Sequence, residues 1–185
     1  NEEKDLFKFE EEIDLKNTLN DYFMIIYEYI KNEEMFYDYD NEEKSLSKIQ
    51  IENYVYTQLY YKIFNSIPSQ IDRKIYSTCS NYCSIQAKLI DPNLDELDEK
   101  FVKIMINFAK NIEKRLCPNN KLNEFENIVM ISENIAYLYG YDEKTAFNLI
   151  IYAFIKAKPY LIYSIFSLFR LVYINDYFFL LLLIY

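Results

Sequence analysis

The chain has 185 residues, with 20 Lys and Arg against 29 Asp and Glu and a net charge of −9. That length suits one domain, and a 51% hydrophobic content is enough to build its core. Without His, and with Gly140 as its single Gly, the chain lacks the commonest general base, the usual hydrolase triads and most zinc sites. It equally lacks a Gly-rich phosphate loop and a dinucleotide fingerprint. The acidic balance argues against nucleic acid, whose phosphates need clustered Lys and Arg.

Further exclusions follow from local features. Cys79, Cys83 and Cys117 are odd in number and form no C-x-x-C, so neither a disulfide scaffold nor a metal site is expected. They read as buried apolar side chains in a reducing, cytoplasmic compartment. The start, Asn1-Glu2-Glu3-Lys4-Asp5, is acidic and unlike a signal peptide, and without an initiator Met it reads as a piece of something longer. One Gly and four Pro are too few for the turns of an all-β fold. The 20 Tyr, with many Ile, Asn and Lys, read as the drift of an AT-rich coding sequence.

The apolar spacing is helical throughout, with no internal repeat, and predicts an all-α bundle of eight to nine helices. Residues 4–17 carry a stripe through Leu6, Phe9 and Ile13, and residues 20–38 another through Tyr22, Phe23, Ile26, Tyr27 and Ile30. The second dissolves into the acidic run of Glu33-Glu34 and Asp38-Tyr39-Asp40, read as a solvated bend. A long helix is expected over 42–66, through Ile49, Val55 and Leu59. The next runs from about Pro68 to Ile90, through Ile71, Ile75 and Cys79. After the Asp91-Pro92-Asn93 turn a helix is predicted over 94–116, with Phe101, Ile104, Met105, Phe108 and Ile112 inward. Pro118 leads a helix to about residue 138.

Beyond Gly140, helices over 143–157, 160–173 and 176–185 are nearly apolar all round, which means burial or lipid. Their uncharged runs are broken by Lys156, Lys158, Arg170 and Asp176 and fall short of the roughly 18–20 residues a membrane span needs. No transmembrane segment is expected.

Two stretches carry a resemblance. Ile51-Glu52-Asn53-Tyr54-Val55-Tyr56-Thr57-Gln58-Leu59-Tyr60-Tyr61-Lys62-Ile63-Phe64 is similar to the helix "IE-x-Y-[IV]-x-T-x-LY-x-x-[VI]F" that opens the core of Vps-nine domains, the exchange factors for early-endosomal Rab GTPases. Pro118-Asn119-Asn120-Lys121-Leu122 resembles that family's "P-x-x-KL", and Asn148–Pro159 its "P-x-LIY-x-x-[IL]-K-A-x-P". Ser164–Val172 stands where the family has "SN-[IL]-x-Y-I-x-x-F". The matches keep their order over about residues 50–175. The resemblance implies a Vps-nine-like core over 49–185, its last helix cut short, with residues 1–48 as a helical part packed ahead of it.

The resemblance further implies a small Rab-type GTPase as partner, no cofactor, no metal, and peripheral association with endosomal membranes through that partner or the parent chain. In the family one acidic side chain, the aspartate finger, reaches from the second Asp of "A-D-D-x-x-P-x-LIY" toward the phosphate and magnesium site. Counted back without gaps from Tyr152, that position is Thr145, with Lys144 before it; a two-residue insertion puts Asp142 and Glu143 there instead. Asp142 and Glu143 are therefore the joint catalytic candidates, although the same pair would cap a helix and complement its dipole in any protein. Asn148 replaces the family's Pro. Tyr152, Asn148 and Tyr177 are the candidates for partner contact. Asn175–Leu181 resembles the facing helix "G-E-x-x-YY-x-T-x-L" only loosely, with Leu180 in place of the Thr. A domain of the same fold that binds Rab without exchange, or an unrelated helical scaffold, stands as the alternative reading.

Overall fold

The computed structural model of the chain describes residues 2–63 and 69–172, with side chains over 17–60 (residue 35 excepted) and 69–169. The described residues are helical: seven α-helices and three short 3-10 turns, with no strand. The all-α expectation holds. The count is seven among the described residues rather than eight to nine, because one expected junction is absent and the helix expected over 176–185 lies outside them. Two compact units are distinguished, residues 1–58 with 168–185 and residues 59–167.

In the first unit, α1 (Glu2–Asn32) runs without a break where two helices were expected at 4–17 and 20–38. Its polar residues at 17–21 are tolerated because nothing there denies the backbone a helical bond. A 3-10 turn over Glu34–Phe36 follows, and then α2 (Asn41–Ile63). The acidic bend is solvent-exposed from Tyr37 to Asp40, and it has a second role. Asp40 Oδ1 accepts from Glu43 N at 2.8 Å while Glu43 Oε2 accepts from Asp40 N at 2.9 Å, the reciprocal box that satisfies two orphan donors of a helix start.

Phe23 packs against Tyr56 and Tyr27, at 5.4 Å and 6.2 Å between ring centres. Tyr27 Oη donates to Glu52, and burial pushes the Glu52 carboxyl up. Tyr22, placed inward by its spacing, is half exposed instead, and so is Ile49 of α2.

The second unit is built on α4 (Glu99–Lys114), α5 (Pro118–Tyr139) and α6 (Glu143–Ala157), which pack pairwise, with α3 (Gln70–Tyr82) against α6. The core is contributed at helical spacing by Met105, Ala109 and Ile112 of α4, Ile128 and Ile135 of α5, and Leu149 and Ala153 of α6. Ala109 and Ala153, both fully buried, keep side-chain bulk low where α4 and α6 contribute to it. Phe125, Phe154 and Phe166 form an aromatic cluster with ring centres 5.4–6.3 Å apart. Ile104, expected inward, faces solvent, and Val102 with Ala109 takes the inner positions.

Start and stop chemistry explains the helix ends. α3 begins after Ser69, not at Pro68, because Ser69 and Asp72 form a complete capping box. It ends at Tyr82, short of the expected Ile90, and the intervening chain makes 3-10 turns over Ala87–Leu89 and Pro92–Glu96. α4 therefore starts at Glu99, capped by Asp98, not at 94. α5 opens on Pro118 as predicted and closes on Gly140, whose φ of 69° is the left-handed value that glycine adopts without steric cost. Tyr141 N then donates to Ala136 O at 2.8 Å.

Two buried charged groups join elements of this unit. Lys121, fully buried in the first turn of α5, donates through Nζ to Ile112 O at 2.7 Å and Glu113 O at 3.4 Å. It thereby satisfies orphan carbonyls at the end of α4, and its ammonium also lies 5.3 Å from the Tyr60 ring centre. Asp72 Oδ1 accepts from Ser164 N at 3.1 Å, and its Oδ2 from the Ser164 and Ser69 hydroxyls and from Ser69 N. Together with Glu113 Oε1, which accepts from Leu161 N at 2.7 Å, it places negative charge on the N-terminal turn of α7 (Ile162–Val172), as the helix dipole favours.

Candidate functional site at the start of the sixth helix

α6 starts where its sequence says it should, after the left-handed Gly140 and at an Asp. Asp142 Oδ1 accepts from Thr145 N at 2.8 Å, so Asp142 is the N-cap and Glu143 the first helical residue. Both are exposed. The hydrogen bond from the Thr145 backbone, aided by that from its side chain, holds the Asp142 carboxyl below the usual range, so it is ionised at neutral pH. An anionic pair is thus presented to solvent at the positive end of a largely apolar helix.

Thr145, where the ungapped count puts the finger, points the other way. It is 1% exposed, and its hydroxyl donates to Asp91 Oδ2 at 2.9 Å and accepts from Asn93 Nδ2 at 3.2 Å. Asn148, one turn on, donates through Nδ2 to the same Asp91 oxygen at 3.0 Å. Asp91 Oδ1 in turn accepts from Asn93 N at 3.0 Å, closing the Asp91-Pro92-Asn93 turn. Donation from Asn148 is the strongest influence on Asp91; with the bonds from Asn93 and Thr145 it outweighs burial and lowers the carboxyl's pKa. The first turn of α6 is thus fastened on its inner side to the turn before α4, and its outer side carries the two free-standing acids.

Tyr152 follows Asn148 by one more turn and is half buried. Its ring centre lies 5.1 Å from Lys156 Nζ, which donates to Cys83 O at 2.9 Å and so ties α6 to the end of α3. Tyr177, with the whole Asn175–Leu181 segment, lies outside the described residues. The structure therefore brings Asn148 onto a buried carboxylate, sets Tyr152 beside a cavity of about 430 Å³, and leaves Asp142 and Glu143 in water.

Sequence reasoning found the turn at Asp91 and the acids at 142 and 143. It missed the bond network between them, because its members are 54 and 57 residues apart and nothing local announces the pairing.

The three cysteines are free thiols, Cys79 and Cys117 buried and Cys83 half buried. Among the described residues no group of three or more His, Cys, Asp or Glu could hold a metal ion, and no helix is long and apolar enough to cross a membrane. Comparison with protein-family models, curated proteins and solved structures returns no match.

Proposed function

We propose that this chain is a Vps-nine-like domain that binds a GDP-loaded, early-endosomal-type Rab GTPase and promotes GDP release in endosomal vesicle trafficking. The observation that carries the reading is the exposed, ionised Asp142 beside exposed Glu143 at the head of α6, within motifs that keep the family's order. The inward Thr145 supports placing the finger on the 142–143 pair. A carboxylate there would repel the β-phosphate, compete for magnesium and pair with the GTPase's phosphate-binding Lys. By linkage, whatever binds the nucleotide-free GTPase more tightly weakens nucleotide binding by the same factor. Asn148, held on Asp91, acts in this reading as a positioning residue for the first turn of α6, and Tyr152 and Tyr177 remain its partner-contact candidates. The domain would work in the cytoplasm, at the endosomal surface.

The test is release of a fluorescent GDP analogue from a panel of Rab GTPases, with and without the chain. Acceleration for at least one early-endosomal member is expected. Asp142→Ser with Glu143→Ala should return release to the intrinsic rate while leaving the helix cap in place, since Ser also caps. Equal acceleration by the double variant removes the finger assignment. Tight binding with no acceleration selects the alternative, a Rab-binding domain of the same fold. That alternative has its own support in the Asp142 oxygen already committed to Thr145 N. Binding to no nucleotide state of any Rab leaves only a helical scaffold.

A further inference from the structure

The cavity beside Tyr152 has a chemistry that GTPase binding does not use. It lies within the second unit, between α4, α6 and the two 3-10 turns that precede α4. One wall is apolar, made by Leu94, Val102 and Ile106, with Leu94 only 1% exposed. Its volume of about 430 Å³ falls inside the range of roughly 300–1,000 Å³ typical of small-molecule sites.

Three ammonium groups border this space in a chain whose net charge is −9. Lys88 is paired with Asp95 at 3.2 Å and Lys103 with Glu99 at 3.6 Å. Lys156 differs: among the described residues no carboxylate is paired with it. Its hydrogen bond to Cys83 O uses one of three N–H donors, and the Tyr152 ring offers only a π face to the group. A half-buried ammonium against an apolar wall gains more from an anionic acceptor than one in open water, because the surroundings screen less.

We infer that this cavity binds a small organic monoanion with an apolar body, its head on Lys156 and its body against Leu94, Val102 and Ile106. The body is required as well as the head. A chain of net charge −9 repels simple anions at long range, and burial of apolar surface must supply the remaining attraction. The inference goes beyond the exchange reading and does not depend on it.

The experiment is a ¹⁵N NMR titration of the whole chain with octanoate, acetate and octylammonium. Octanoate is expected to shift the amides of Ala87, Leu94, Val102 and Tyr152, with acetate and octylammonium at least tenfold weaker. Lys156→Gln should weaken octanoate tenfold or more, and Lys156→Arg should retain it. Equal binding of octylammonium, equal binding of acetate, shifts confined to residues away from the cavity, or undiminished binding by Lys156→Gln would each overturn the inference. The first two of these outcomes need no variant to fold.

Discussion

Replacing Asp72 by Ala is expected to lower the unfolding free energy by about 3 kcal/mol, read from the denaturant midpoint at pH 7. Asp72 is fully buried, and both its oxygens are occupied by donors from Ser69 and Ser164, 92 residues apart in their reach along the chain. Hydrogen bonds to a charged group contribute roughly 1.5–3 kcal/mol each, and donors left without a partner in the interior add to the loss. The Ser69 cap of α3 and the N-terminal turn of α7 are released together. Burial alone would raise the Asp72 pKa, but the bonds from Ser164 and Ser69 together outweigh it and hold the carboxyl below its ordinary value. A depressed folded-state pKa stabilises above the unfolded pKa and loses that contribution as pH falls through the folded one. The difference between wild type and Asp72→Ala should therefore shrink on acidification below about pH 4. A loss under 1 kcal/mol at pH 7 would mean that the carboxylate's desolvation cancels its bonds.

Lys121 gives the opposite pH signature. Burial brings its pKa down from 10.5 to about 8, with Glu113 and Cys117 partly opposing the fall. Below pH 8 the group is charged in both states, and folding bears the cost of burying that charge. Between pH 8 and 10.5 the unfolded chain holds a proton that the folded chain has released, so stability rises with pH. At 1.36 kcal/mol per unit the gain totals about 3 kcal/mol. Many tyrosines titrate in the same window, so the measurement is a difference. Wild type should gain on Lys121→Met by that amount between pH 8 and 10.5. A constant difference would show that Lys121 stays protonated on the carbonyls of Ile112 and Glu113.

The legible parts of this fold are those whose signals are local. Pro118, Gly140 and Asp142 marked the ends of α5 and α6, because capping and left-handed geometry depend on neighbouring residues. The start of α3 was equally local in Ser69-x-x-Asp72, yet Pro68 drew the boundary instead. The junction expected inside α1 failed for a different reason: a loss of apolar periodicity weakens packing without stopping a helix. Asp72 and Lys121 were not readable as interior residues. A buried charge is stable only beside particular partners, and for Asp72 these include a serine 92 residues away. At the candidate site the acids were found, and the orientation of Thr145 was not, since it depends on Asp91 across 54 residues.

That same span has a kinetic consequence. Closing a loop of this length costs chain entropy that grows with the logarithm of its length, while α4 and α5 form mostly from near neighbours in sequence. The Asp91–Thr145–Asn148 lock should therefore engage after the folding barrier. Thr145→Val is expected to speed unfolding and leave the refolding rate almost unchanged, a φ-value near zero. Slowed refolding would place the lock in the nucleus instead. A late lock leaves the head of α6 among the first parts of this unit to open, so its two acids would sit on the segment most easily reshaped by whatever docks there.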